Sequence, residues 1–322
     1  MSKNKADVSI VFRALNEEKF FEAALKSCVN QKLDGMSLEI ILVDSGSTDR
    51  TLEIANKYDC KIVEITREMF SFGRSLNWGC EAASGEYLIF ISAHCIPTHD
   101  EWLLNLLKPL RNGDAVYSYG KQVGGRETKF SENQLFAKYF GETDKLQDSD
   151  FFINNANSAI RTDVWREYKF DEEATGLEDM ILGKKVIESG RRIAYASQAP
   201  VTHIHEENFG QVRNRYYREA LTLREVLPDV RLSFFDFLRF VQAGIINDIS
   251  AARDQKCLKE NFVSILKFRL MQFWGSYKGQ NENRKISRAQ KESYYYPSVK
   301  KVKRNRNSAQ RHQSIAQISS KL

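Results

Sequence analysis

Over the first 110 residues, short apolar runs alternate with stretches of helical periodicity, and no other feature limits the folding of this 322-residue chain as much. Val8-Ser-Ile-Val-Phe12 reads as a buried strand. Glu17 to Asn30 reads as a helix with Phe20, Phe21, Ala24, Leu25 and Cys28 on its apolar face. Leu38 to Val43 and Lys61 to Ile65 are the next two strands, with a helix over Thr48 to Tyr58 between them. A helix over Phe72 to Ala83 then leads to a fourth strand, Tyr87 to Ile91. Strands separated by helices of this length form βαβ units and a parallel sheet covered on both faces. Such sheets bind ligands beyond the carboxyl ends of their strands, so the loops there carry the chemistry.

From about residue 112 to 200 shorter strands and helices mix, and beyond 208 the pattern is helical only. Leu232 to Ile249 sets Phe234, Phe237, Leu238, Val241 and Ile245 on one face, and Leu258 to Trp274 does the same with Phe262, Ile265, Leu266, Arg269 and Phe273. The expected layout is an α/β domain over 1–227, an amphipathic helical extension over 228–279 and a basic, flexible tail over 280–322. Charge is unevenly spread: residues 278–322 hold twelve Lys/Arg and two Glu, a net +10, while residues 1–277 carry a net −4. Such a tail is either a solvated end or an attachment to anionic lipid, worth about 1 kcal/mol per cation near the surface. Nucleic acid is disfavoured, because no binding motif accompanies the charge and the acidic body offers no second contact surface.

Apolar runs such as Tyr87 to Ala93 fall far short of the ~20 residues that span a bilayer, and the N-terminus lacks the apolar centre of a secretory leader. The five cysteines are odd in number and contain no CxxC pair, as expected of reduced thiols. The expectation is a cytoplasmic protein, either free or peripheral at the cytoplasmic face of the inner membrane.

Candidate chemistry lies where the strands end. The first runs into Arg13-Ala-Leu-Asn-Glu17, and the second ends in Asp44 before Ser45-Gly-Ser-Thr-Asp-Arg-Thr51. Asp44 there is either an acceptor for a base or ribose or a turn residue, and Ser47 or Thr48 is expected to cap the next helix. In Gly73-Arg-Ser-Leu-Asn77, a guanidinium on the first turns of a helix offers fork-shaped donors to phosphate, and Gly73 lets the backbone come close. Glu178-Asp179 opens a helix, where dipole compensation alone would favour acids; neighbours on a helix point about 100° apart, so one carboxylate is expected to face a cleft. His203-Ile-His205 follows a strand and the loop Gln198-Ala-Pro200, and alternation puts both imidazoles on one side. Asn154 to Ser158 offers amides either to sugar hydroxyls or to a turn.

Taken together and in order, VSIVFRALNEE, LEIILVDSGSTDRT, FSFGRSLNWGCEAASGEYLIFISAHCIP, NANSAIRTDVW and GLEDM resemble the family-2 glycosyltransferases with the GT-A fold, over about residues 6–225. The resemblance implies an α/β GT-A fold, a Rossmann-like, mixed, mainly parallel sheet flanked by helices, here with a helical C-terminal extension. It implies sugar transfer from a nucleotide donor with inversion at the anomeric carbon. Asn16, Glu17 and Asp44 would then bind the nucleoside beside Arg13 and Ser45, and Arg74 and Asn77 would lie near the ribose and diphosphate. Asp179 matches the general base, with Glu178 orienting or contacting the acceptor, and Asn155 and Asn157 fall on the acceptor side.

One departure stands out. Most relatives carry Asp-x-Asp at the fourth strand's end, where this chain has Ser92-Ala93-His94, so two hard ligands become a hydroxyl and an imidazole. Mg²⁺ prefers oxygen and Mn²⁺ tolerates nitrogen. Either His94 holds a divalent metal (Mn²⁺ or Mg²⁺) with His203 or His205, or Arg74 and His94 meet the diphosphate without one. Ser-Ala-His also resembles the rhamnosyltransferase-like subgroup of surface-polysaccharide enzymes. That implies a dTDP- or UDP-linked sugar and a glycan or lipid-linked glycan acceptor of O-antigen or capsule type. Gln211 to Arg218 is out of register with the Gln-x-x-Arg-Trp box of processive synthases, so processive synthesis is not expected. The competing reading is a nucleotide-sugar-binding scaffold, which the retained Glu178-Asp179 pair speaks against.

Overall fold

The computed structural model describes residues 6–282; nearly all of the basic tail expected over 280–322 lies outside the described residues. The expected βαβ alternation is present: β1 (Val8–Ala14), α1 (Glu18–Val29), β2 (Leu38–Asp44), α2 (Thr51–Lys57), β3 (Lys61–Glu64), α3 (Phe72–Ala82) and β4 (Tyr87–Ser92). These four strands are parallel, with β1 between β2 and β4 and β3 outside β2. Alternation along β1 sends Ile10 and Phe12 to one face, packed with Phe21, Leu25 and Trp102, and Val11 to the other, packed with Ile41, Leu76 and Tyr117. Each fully buried side chain of this size contributes roughly 1.5–3 kcal/mol.

The middle of the chain completes the sheet. It comprises β5 (Cys95–Pro97), α4 (Trp102–Arg111), β6 (Tyr117–Gly124), α5 (Phe130–Tyr139), β7 (Lys145–Gln147), β8 (Asn157–Arg161), α6 (Thr162–Tyr168), α7 (Glu178–Glu188) and β9 (Ile193–His203). The strand order is β3-β2-β1-β4-β8-β6-β9-β5, with β7 also on β9. β8 runs antiparallel between β4 and β6, which makes the sheet mixed. The loop expected at Gln198 to Pro200 is instead a register break within β9: Ala196 pairs Gly120, and pairing resumes at Val201 with Gln122. That break lets one strand carry on to His203, which pairs Cys95.

Helix α2 begins three residues later than its sequence pattern suggests, and neither Ser47 nor Thr48 caps it. The Asn16 side-chain oxygen accepts from the amides of Thr48 (2.8 Å) and Asp49 (3.3 Å), holding them in the loop. Asp49 then accepts from the amide of Thr51 at 2.9 Å, satisfying a free donor of the first turn.

Helices α8 (Phe209–Val226), α9 (Phe234–Asp254) and α10 (Leu258–Gln280) follow. The division expected at 227/228 falls in the turn between α8 and α9, but α10 returns to lie against α8. Glycine makes that approach: a Cβ on Gly275 would stand 2.3 Å from the Arg213 carbonyl oxygen, and one on Gly279 2.3 Å from that of Tyr217. Arg269 of α10 binds Asp248 of α9 through two bonds of 2.6 and 2.7 Å, both residues buried, and also reaches the Ser131 carbonyl of α5. The extension is thereby pinned to the α/β body.

Candidate active site

The ends of β1, β4 and β9, the loop entering β8 and the starts of α7 and α8 enclose a cleft of about 640 Å³. This is the size of a small-molecule site. Leu177, with φ of +55°, turns the chain into α7 and aims its first turn at the cleft. Contrary to the single carboxylate expected there, Glu178 and Asp179 both line it. Glu178 Oε1 accepts from Arg13 Nη1 at 3.1 Å, and Arg13 also donates to the Phe72 carbonyl at 3.1 Å while lying over that ring. Asp179 Oδ2 accepts from the amide of Asn155 at 2.9 Å, and Oδ1 from that of Met180 at 2.8 Å. Burial, reinforced by the Glu178 charge, pushes the Asp179 carboxyl up to about 7. A carboxylate poised there can accept a proton near neutral pH.

At the β1–β2 end, Asp44 accepts from the amides of Gly46 and Ser47, both at 2.9 Å, while its buried Oδ1 has no protein partner. Ser45 Oγ donates to the Ala14 carbonyl. Asn16, at φ +57°, spends its side-chain oxygen on the Thr48 loop. Glu17 turns to His94, its Oε1 lying 3.1 Å from Nδ1. A smaller hollow of about 180 Å³ adjoins the cleft, walled by Phe70, Phe72 and Leu76 and bordered by Arg13, Glu17, Ser45 and Ser92.

Five expected contributors are placed elsewhere. Arg74 donates to Glu172 and to the Met69 carbonyl, both at 2.7 Å, and lines neither hollow. Asn77 is fully engaged: it donates to the Phe170 carbonyl and Glu172, and accepts from Trp165 and the Phe170 amide. The close approach at Gly73 is to the chain's own backbone, since a Cβ there would stand 2.0 Å from the Asp171 carbonyl oxygen. Asn157 is wholly buried, accepting from Trp102 and donating to the Lys121 and Ala199 carbonyls. Ala93 is buried in the core. Asn155 does reach the cleft; its side-chain oxygen accepts from Tyr117 and Ser158, and its buried amide nitrogen has no protein partner.

Opposite the acid pair, His94, His203 and His205 come together, with ligating nitrogens within 4.8 Å of one another. The His203 and His205 rings are 4.0 Å apart, as strand alternation leads one to expect. His203 Nδ1 meets Gln122 Oε1 and His205 Nδ1 meets Glu132 Oε1, each at 2.7 Å. Burial, then the neighbouring imidazoles and Arg215, hold His203 well below the usual histidine range; burial and then Arg215 do the same for His205. Arg215 of α8 pairs with Glu132 and Glu207, and Arg218 of the same helix lies 4.7 Å over the Phe72 ring; both line the cleft. Gln122 and Glu132 carry no local sequence signal, because only the pairing of β6 with β9 and the packing of α5 bring them here; Arg215 and Arg218 belong to the Gln211–Arg218 segment, whose register differs from the Gln-x-x-Arg-Trp box, and the packing of α8 brings them to the cleft. The Asp-x-Asp carboxylates are absent from the β4 end; three imidazoles gather there instead, with the Glu17 carboxylate beside His94 and a second group of Glu132, His205 and Glu207 that shares His205.

The mixed sheet with a cleft across its strand ends agrees with the GT-A fold of the solved glycosyltransferase structures to which the chain is similar. Residues 9–169, half of the chain, match the model of glycosyl transferase family 2, and the protein belongs to that family. It is 25% identical over 199 residues to the O-antigen chain rhamnosyltransferase WbaN of Salmonella anatum, a match covering 58% of this chain and 63% of WbaN, less than two thirds of that relative's length. Among solved structures, the mannosyltransferase PcManGT of Pyrobaculum calidifontis, in complex with GDP-Man and Mn²⁺, superposes with a TM-score of 0.58 at 15% identity, over 88% of this chain and 89% of that one. Residues 1–349 of Staphylococcus aureus TarS in complex with UDP-GlcNAc give 0.52 at 18% identity, over 87% and 94%. At these identities the structural likeness speaks for the fold.

Proposed function

We propose that this protein is an inverting glycosyltransferase that moves a sugar from a nucleotide-sugar donor to a glycan acceptor in surface-polysaccharide assembly, with Asp179 as general base. The observation that carries the reading is the Asp179 carboxyl, fixed by two backbone amides at the cleft wall and raised to about 7. An acceptor hydroxyl gives its proton to Asp179 as its oxygen bonds to the anomeric carbon. The bond from that carbon to the diphosphate oxygen breaks on the opposite face, and its electron pair leaves with the nucleotide. Glu178, held by Arg13, orders the acceptor side.

The apolar hollow of Phe70, Phe72 and Leu76 suits a nucleoside base, with Glu17 and Ser45 at its rim. Arg215 and Arg218 bring guanidinium groups to the cleft in the role expected of Arg74. A divalent metal, when bound, would offset the charge growing on the leaving diphosphate, and His94, His203 and His205 are the residues that would hold it. The likeness to an O-antigen rhamnosyltransferase favours a dTDP- or UDP-linked deoxyhexose as donor. Titration of the purified protein with UDP, dTDP, GDP and CMP tests the reading: one nucleotide class should bind clearly, and binding of none would refute it.

The acceptor is proposed to be a lipid-linked glycan, met at the cytoplasmic face of a membrane. No helix among the described residues is long and apolar enough to cross a bilayer. Yet nine of the thirteen exposed large hydrophobic side chains among the described residues lie between Val230 and Leu270, with Phe235 82% exposed, and the chain that follows carries the +10 charge. An apolar helix face beside a cationic segment fits an anionic lipid surface.

A further inference from the structure

Helical periodicity gives α8 two faces with different chemistry. Gln211, Arg215 and Arg218 line the cleft. Arg213, Asn214 and Tyr217 turn to another side of the helix and, with Trp274, Gly275 and Lys278 of α10, line a separate hollow of about 270 Å³. Its charge is the reverse of the cleft's. The cleft wall includes Glu17, Glu178, Asp179 and Glu207, whereas no carboxylate of the described residues lines the hollow. Arg213 and Lys278 form no ion pair among the described residues, and the Trp274 indole N–H meets no acceptor there. Asn214 Oδ1 accepts from Arg213 Nε at 3.3 Å and from Nη2 at 3.1 Å, holding the guanidinium by one edge. Lys278 Nζ stands 5.4 Å from the centre of the Trp274 ring. Glu282 is the neighbouring acid, and its carboxylate is engaged by the Tyr217 hydroxyl at 3.0 Å.

A guanidinium, an ammonium and an indole N–H around one open hollow are a donor set for phosphate oxygens. The surroundings say what the phosphate is attached to. Trp274 packs on Phe237 at 5.6 Å and on Tyr277 at 5.8 Å, and Tyr277 meets Phe234 at 5.9 Å. Phe234 and its neighbour Phe235 are exposed, so an apolar surface adjoins the cationic hollow. A free phosphate makes no use of that surface, whereas a phospholipid has a part for each, and Trp and Tyr are the side chains that sit at headgroup level. We propose that the hollow between α8 and α10 is a headgroup site for the phosphate of an anionic phospholipid, with Arg213 and Lys278 as its ligands and the acyl chains lying along Phe234 and Phe235. The inference rests on the membrane reading above and gives that contact a defined set of residues. Lipid and nucleotide sugar would then occupy different faces of one helix.

The test uses the full-length protein and its tryptophan fluorescence. It is titrated with dihexanoyl phosphatidylglycerol below the micellar concentration, and with glycerol 1-phosphate and inorganic phosphate as lipid-free sources of the same chemistry. The lipid should give a saturable change that is lost in Trp274→Phe, and burial of its chains should make it bind roughly tenfold or more tightly than either free phosphate. Arg213→Gln should weaken lipid binding roughly tenfold or more. Lys259→Gln, which removes the same charge from an exposed position elsewhere on α10, should stay within about twofold of the parent. Arg213 and Lys278 are both exposed, so the melting temperature should hold in Arg213→Gln and Lys278→Gln. No saturable change, a change retained in Trp274→Phe, or parent-like binding by Arg213→Gln would overturn the proposal, and equal affinity for inorganic phosphate would overturn the lipid as the source. Sedimentation with vesicles of equimolar phosphatidylglycerol and phosphatidylcholine separates the two readings. Short-chain lipid bound without vesicle binding would leave the headgroup site standing and remove the membrane reading; vesicle binding without it would do the reverse.

Discussion

The backbone amide of Asn155 donates to Oδ2 of Asp179 at 2.9 Å and ties the loop entering β8 to the first turn of α7. Because the Asn155 side chain is itself held by Tyr117 and Ser158, a sheet residue, a loop and a helix start together define one carboxylate position. The acid is therefore oriented by the fold before any ligand arrives.

A base must be ionised to act. With Asp179 raised to about 7, kcat/KM should climb with pH through about 7, roughly tenfold per unit on the acid side, and level off above it. Arg13 is one of the groups that pull this carboxyl down, so Arg13→Gln should shift the acid limb to higher pH. The stability effect has a fixed sign: a raised carboxyl favours the folded state at low pH, and that advantage is lost as pH rises from the ordinary 3.8 through about 7. A rate profile flat from about pH 5 to 9 would remove Asp179 from the proton transfer.

Asn77 and Arg74 should separate stability from binding. Asn77→Ala leaves the buried Trp165 indole and Phe170 amide without their acceptor and should cost roughly 2–4 kcal/mol in denaturant unfolding. Arg74→Ala loses a partly exposed pair with Glu172 and should cost about 1 kcal/mol or less. Nucleotide affinity of the folded variants should stay within about threefold of the parent. A tenfold loss in Arg74→Ala would put that guanidinium back at the diphosphate.

The Arg269–Asp248 pair should behave as a buried pair does. Asp248→Ala strands a guanidinium that is 5% exposed and should destabilise by about 3–5 kcal/mol, whereas replacing both residues by apolar ones of similar volume should cost far less. Chemical unfolding of the two variants makes the comparison.

Lipid contact should depend on the α9–α10 face. Full-length protein should sediment with anionic vesicles at low salt, and Phe235→Ser combined with Leu238→Ser should reduce the bound fraction several-fold while the melting temperature holds, because both side chains are exposed. Equal sedimentation of parent and variant would place attachment elsewhere.

Periodicity made the first four strands and their helices legible, since a buried parallel strand and an amphipathic helix leave different spacings of apolar residues. The place of Glu178-Asp179 at the start of a helix was legible from its motif, but not that both carboxylates line the cleft. Less so was the start of α2, where Asn16, 32 residues from Thr48, wins the loop amides from the helix. The glycine-led turn at Gly73 has the local chemistry of a phosphate cradle, and only the tertiary contact with Asp171 and Glu172 fills it. Gln122 and Glu132 were beyond reach, because their roles exist only through the pairing of β6 with β9 and the seating of α5.

The central claim is tested most directly by comparing the parent with Asp179→Asn in two assays on the same preparations: nucleotide release from a dTDP- or UDP-sugar with membrane lipid extract as acceptor, and calorimetric binding of the free nucleotide. The account requires release to fall roughly 10²- to 10⁴-fold while nucleotide affinity is retained. Parent-like release by Asp179→Asn would contradict it.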